Sequence, residues 1–160
     1  MLLYHFTSRE NLSQIATTGL SRGMVPVSPT EARNGIWLTT DPGPGGHGLE
    51  NGGKIMTELD RQQALDWTGV LPLPGTRFPK QGPVRITVDL PTSDRNLHEW
   101  LPWARQNLSP EWLAVLHSVA LGNLRKAKTW RVYFGVIPPE SFLAVDSEAD
   151  HPTARSLRRA

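Results

Sequence analysis

The sequence predicts an α+β domain: a split or antiparallel β-sheet core with a few flanking helices. Three observations carry this. Leu2 to Phe6 is a short apolar-aromatic run that leads directly into a helix-spaced segment with signals at both ends. Val84 to Leu90 alternates strictly, with Val84, Ile86, Val88 and Leu90 inward against Arg85, Thr87 and Asp89, as a half-buried strand does. The connections are proline- and glycine-rich, with 14 of each in 160 residues, where a parallel doubly wound sheet would need regular helical crossovers.

Taken in order, the Leu2–Phe6 strand is followed by Thr7-Ser8-Arg9-Glu10, which has the spacing of a capping box. The Thr7 hydroxyl is set to accept the Glu10 amide while the Glu10 carboxylate reaches back. Leu12, Ile15 and Ala16 then share one helical face up to Thr18. Gly19 stands where a left-handed stop belongs, and Leu20 can pack back on the last turn. Ser21 to Gly35, with Pro26 and Pro29, reads as a loop that puts Arg22 close behind the helix. Gly35 to Pro42 is the second strand. Pro42 to Gly53, around His47, reads as a mobile glycine-rich loop.

Thr57 to Trp67 reads as a helix, capped by Thr57 with Asp60 three residues on. Gly69 to Gly82 is a proline-rich connection lying on the body of the protein. After the Val84 strand, Pro91 is a stop and Asp94 a helix cap, with Leu97, Trp100, Leu101 and Ala104 on one face and Pro102 kinking or restarting the helix. Ser109-Pro110-Glu111 opens another helix, mostly buried through Trp112, Leu113, Val115, Leu116, Val119 and Ala120. Asn123 to Lys128 is a basic turn, read as solvated rather than as a phosphate contact. Thr129 to Val136 is the last major strand, and Leu143 to Val145 a short terminal one. The reading is one domain over residues 1–146, with a polar, flexible tail over 147–160.

Composition narrows the function classes. A formal charge of +2 is near neutral, so charge alone does not argue for nucleic acid. The absence of cysteine excludes disulfides, thiolate catalysis and cysteine-ligated zinc. No apolar run approaches the ~20 residues of a membrane span, and the start lacks signal-peptide character. The expectation is therefore a soluble, cytoplasmic protein of bacterial or phage origin, with no membrane partner. The five histidines lack paired ligand spacing, so no metal site is expected. The glycine-rich loop is no P-loop, and no serine sits in a nucleophile elbow.

The histidine of the first strand, His5, has two readings: a core imidazole satisfied by a backbone group, or a residue facing a cleft beside the helix start. Trp37 on the second strand is likewise either core or ligand platform. Tyr4-His5-x-Thr7-Ser8, then Asn11-Leu12-x-x-Ile15 and the Gly19-Leu20 exit, resembles the opening of the ADP-ribosyltransferase superfamily. Its DNA-targeting toxins and the tRNA 2′-phosphotransferases are the nearest flavours. Trp37-Leu38-Thr39-Thr40 is similar to the superfamily's second landmark, and Tyr133 through Phe142 to its closing strand and turn. The likeness covers roughly the first 42 residues and Thr129 to Val145.

That resemblance implies an ADP-ribosyltransferase-like fold and a nucleotide-type ligand, with NAD as substrate. It implies His5, Trp37 and Thr39 as catalytic residues. His5, Thr7, Ser8, Arg22, Trp37, Thr40 and Arg131 are implied as contacts to the cofactor. His5 would hold a ribose, Thr7 and Ser8 would meet a phosphate, and Trp37 would stack on a ring. Thr39 and Thr40 would donate to the nicotinamide ribose, and Arg22 or Arg131 would pair with pyrophosphate. His5 and Trp37 are expected to face each other across one groove. The implied reaction is transfer of ADP-ribose to a protein or nucleic-acid acceptor, or hydrolysis of NAD.

One departure counts against turnover. Transferase members carry a glutamate at the start of the late strand, and here Thr129-Trp130-Arg131 occupies that place. Glu140, beyond the Pro138-Pro139 turn, reads as a surface residue. The alternative is a non-catalytic module of the same fold that binds a protein or nucleic acid, for which six tryptophans would offer an exposed patch. An RNA 2′-phosphate enzyme is a third reading, short of converging basic residues.

Overall fold

The structure, a computed structural model, describes residues 1–43, 55–68, 70–77, 84–119 and 127–147. The readings of the glycine-rich loop, of most of the Asn123–Lys128 turn and of the tail fall largely or wholly outside these residues. So does part of the Gly69–Gly82 connection.

Among the described residues there are eight strands and four α-helices: β1 (Leu2–Thr7), α1 (Leu12–Thr18), β2 (Met24–Pro26), β3 (Ala32–Asn34), β4 (Ile36–Thr39), α2 (Glu58–Thr68), β5 (Val84–Asp89), β6 (Leu97–Glu99), α3 (Trp100–Asn107), α4 (Pro110–Val119), β7 (Trp130–Tyr133) and β8 (Phe142–Ser147). Six strands form one sheet in the order β6-β7-β4-β1-β5-β8, and every pairing in it is antiparallel. The mixed architecture and antiparallel sheet agree with the expected class.

β1 is central because both its neighbours are long-range partners, β4 at Tyr4↔Thr39 and β5 from Leu2↔Asp89 to Thr7↔Val84. Since side chains alternate across a strand, β4 and β7 feed two cores. Leu3, Ile36, Leu38, Val84, Ile86, Val88 and Tyr133 make one, joined by Leu20, Leu90 and Ile137 and covered by Leu12 and Ile15 of α1. The other is built from Val132, Trp130 and Val25 against Trp100, Trp103, Ala104, Leu108 and Trp112, with Trp37 and Phe134 packed on it.

Several local expectations hold for the predicted reasons. Gly19 ends α1 at φ +71°, and a Cβ there would lie 2.3 Å from the Ile137 carbonyl oxygen, so only glycine fits. Leu20 and Ile137 exchange backbone hydrogen bonds at that point. Thr57 and Asp60 cap α2 reciprocally, at 2.7 and 3.2 Å. The Ser109 hydroxyl accepts the Trp112 amide at the head of α4, 3.1 Å away.

Others are corrected. The Thr7–Glu10 capping box does not form. Arg9–Asn11 is a 3-10 turn preceded by Ser8, which makes no side-chain capping bond, and Thr7 instead accepts a hydrogen bond from the Asn11 carboxamide at 3.1 Å. Ala16 is exposed, so α1 buries Leu12 and Ile15 without it. The Ser21–Gly35 stretch contains the β2–β3 hairpin. Asp94 does not cap a helix; its carboxylate accepts the Asn96 amide in a turn, and Leu97–Glu99 pairs with β7 as an edge strand. The helix starts only at Trp100, which places Pro102 in its first turn, where a missing N–H costs nothing.

Candidate functional site

The end of β1 and the length of α1 flank a groove of about 780 Å³. This is within the usual range for small-molecule sites. His5, Thr7 and Ser8 come from the strand and turn. Glu10, Asn11, Gln14, Ile15 and Thr18 come from the helix and its approach, and Leu20, Ser21 and Arg22 from the segment behind Gly19. Asn11, Gln14, Ile15 and Thr18 fall at i, i+3, i+4 and i+7, so one stripe of the helix forms a wall.

His5 lies on the floor. Its Nδ1 is 2.9 Å from the Trp37 carbonyl oxygen. A carbonyl only accepts, so Nδ1 carries the proton, and in the neutral ring Nε2 is left as an acceptor. Burial holds the imidazole below its ordinary value of 6.5, and the Trp37 carbonyl opposes this in part. The ring is thus neutral and oriented at neutral pH. The core-versus-cleft choice posed by the sequence has a mixed answer: one ring nitrogen is satisfied by backbone, yet the residue lines an open groove.

Four of the expected contacts, His5, Thr7, Ser8 and Arg22, are brought together here. Trp37 is not. Tyr4 pairs with Thr39, so in the antiparallel register His5 stands opposite Leu38, and Trp37 projects from the other face. Its indole nitrogen donates to the Met24 carbonyl at 2.9 Å, and its ring lies 4.6 Å from Trp100 and 6.1 Å from Trp130. The expectation that His5 and Trp37 face each other across one groove is therefore overturned by strand alternation. What joins them is the backbone of Trp37.

Thr39 shares the Trp37 face. It is buried, with its hydroxyl 2.9 Å from that of Thr129 and accepting the Asp41 amide at 3.1 Å. Thr40 follows the strand and donates its amide to the Thr129 carbonyl; it does not line the groove. Arg131 pairs with Leu38 and so shares the His5 face, but it lies two strands from β1. Its guanidinium is held by Glu99 at 3.1 Å and by the Lys128 and Trp130 carbonyls. Glu140 is exposed in the 3-10 turn Pro139–Ser141, as read.

Sequence reasoning missed Glu10, Asn11 and Gln14 as groove residues. The signal was present, since the polar stripe Asn11–Gln14–Thr18 has helical spacing beside the apolar one. Among the described residues no group of three or more His, Asp or Glu is placed to hold a metal, and no helix is long and apolar enough to cross a membrane. No protein family, curated protein or solved structure matches this chain.

Proposed function

We propose that this chain is an ADP-ribosyltransferase-like domain whose groove beside α1 takes a nucleotide-type ligand, NAD or another molecule containing ADP-ribose. The observation that supports this most is His5. Its Nδ1–H is tied to a backbone carbonyl, which fixes the ring and keeps Nε2 as an acceptor for a ribose hydroxyl in a groove of fitting size. Ser8, Asn11 and Gln14 add polar groups along the wall, and Arg22 adds a cation for the pyrophosphate. Trp37, Thr39 and Arg131 contribute framework in this reading rather than ligand contacts.

If NAD is turned over, the reaction is transfer of ADP-ribose to a protein or nucleic-acid acceptor, or hydrolysis. Catalysis would rest on positioning and electrostatics. The late strand begins with Trp130 and Arg131 and offers no carboxylate, so nicotinamide release is expected to be slow or absent. The same absence favours a second reading, a non-catalytic module of this fold for a protein or nucleic-acid partner. The tryptophans lend it no support, because Trp37, Trp100, Trp103, Trp112 and Trp130 belong to a core.

Isothermal titration with NAD and with ADP-ribose, on wild type and His5→Ala, tests the proposal. Binding that weakens at least about tenfold in the variant, the scale of one well-placed hydrogen bond, is expected. Failure of the wild type to bind either compound would overturn it.

A further inference from the structure

We infer that the groove holds its ligand in one direction, with Arg22 on the pyrophosphate and Glu10 beside the cationic nicotinamide riboside. This rests on the nucleotide reading of the groove and goes beyond it by assigning the groove's two ends.

The argument starts from where the charges lie. Glu10 is the only carboxylate and Arg22 the only guanidinium among the residues lining the groove. Glu10 precedes α1 and Arg22 follows it, so the seven residues of the helix separate them. At 1.5 Å per residue that is about 10 Å along the groove wall. His5 also lines the groove, two residues, or about 7 Å of strand, before Thr7. Both charged residues are exposed, and Glu10 makes no ion pair with another described residue, so its charge is uncompensated.

NAD presents the matching pattern. Its pyrophosphate carries two negative charges, and its oxidised nicotinamide ring carries one positive charge. A ribose lies between them, with hydroxyls that the groove-lining imidazole of His5 can accept from. The reverse orientation would set phosphate beside a carboxylate and a cationic ring beside a guanidinium. The sequence offers two phosphate contacts, the Thr7–Ser8 turn and Arg22. The turn is the poorer, because Glu10 is adjacent, Thr7 is buried, and α1 is too short for a strong terminal field. Reduced NAD has the same shape with a neutral ring, and ADP-ribose lacks the ring altogether. The three ligands therefore report on the two ends separately.

The experiment titrates NAD, NADH and ADP-ribose into wild type, Glu10→Gln and Arg22→Gln, in low salt and in about 0.5 M salt. The wild type is expected to prefer NAD over NADH by about three- to tenfold in low salt, and less in high salt. Glu10→Gln should abolish that preference and leave ADP-ribose affinity equal or improved. Arg22→Gln should weaken all three ligands by about tenfold, as loss of a charge-assisted contact does. Equal affinity of the wild type for NAD and NADH, or a preference that survives Glu10→Gln, overturns the direction and leaves the groove standing. Binding of none of the three by the wild type overturns the groove itself, and the direction with it.

Discussion

The two faces of the sheet are built from alternate residues of the same strands, yet they hold different chemistry. On one face the residues beside His5 are aliphatic, and a seven-residue helix leaves a polar groove open along its length. On the other, α3 and α4 close over Trp37, Trp130 and Val132 with Trp100, Trp103 and Trp112. The short helix cannot seal its face, whereas the tryptophans fill theirs. The groove and the aromatic core thus lie on opposite faces of one sheet. The lesson is that stability and binding should respond to different substitutions.

The largest effect is expected on the aromatic face. Trp100 is 1% exposed, and Trp100→Ala should cost about 3–5 kcal/mol in a urea titration, with ligand affinity unchanged in the folded fraction. Gly19→Ala sharpens the comparison from the groove side, where one position is structural. The positive φ alone should cost about 1–3 kcal/mol, and the contact with the Ile137 carbonyl adds to it. The thermal midpoint and ADP-ribose affinity should therefore fall together.

A reciprocal pair comes next. Trp37→Phe should lower stability by about 1–2 kcal/mol through its lost hydrogen bond and packing, with affinity within about twofold of wild type. His5→Ala should do the opposite, losing affinity at a stability cost of about 1 kcal/mol.

The pH dependence follows from the same imidazole. The folded state holds His5 below 6.5, so the unfolded chain binds the proton more readily. Stability is fully present above pH 6.5 and declines as the pH falls from there toward the folded value. His117, lowered by burial and then by the Arg105 guanidinium, adds to that slope. His5→Gln should therefore flatten urea midpoints measured between pH 7.5 and 5.5 without abolishing the slope. The smallest effect belongs to Arg131→Gln, which removes an ion pair with the exposed Glu99 and hydrogen bonds to the Lys128 and Trp130 carbonyls. It should cost about 1 kcal/mol and leave affinity unchanged.

Much of the framework was legible in the chain. The alternation of Val84 to Leu90, the glycine stop at Gly19, and the caps at Thr57 and Ser109 are local signals with local causes, and each is seen in the structure. The β2–β3 hairpin was not legible, because two three-residue strands, one of them exposed throughout, are too short to carry a hydrophobic pattern. Nor was β6: Leu97-His98-Glu99 pairs only because β7 offers a free edge, and a Leu-to-Trp helical spacing masked it.

The candidate site was half legible. His5, Thr7, Ser8 and Arg22 are local to one strand–helix unit, and the sequence alone groups them. Trp37, Thr39 and Arg131 depend on register, which decides the face a residue takes and which sequence spacing does not reveal. That Trp37 meets His5 through its carbonyl rather than its ring is a consequence of the same pairing.

The most direct test of the division between faces is an NMR titration with ADP-ribose that follows the His5 imidazole nitrogens and the Trp37 indole N–H in one sample. The prediction is a progressive shift of the His5 Nε2 resonance while Nδ1 stays protonated and the Trp37 indole signal stays in place. Movement of the indole with a silent imidazole, or no movement of either at saturating ADP-ribose, would contradict it.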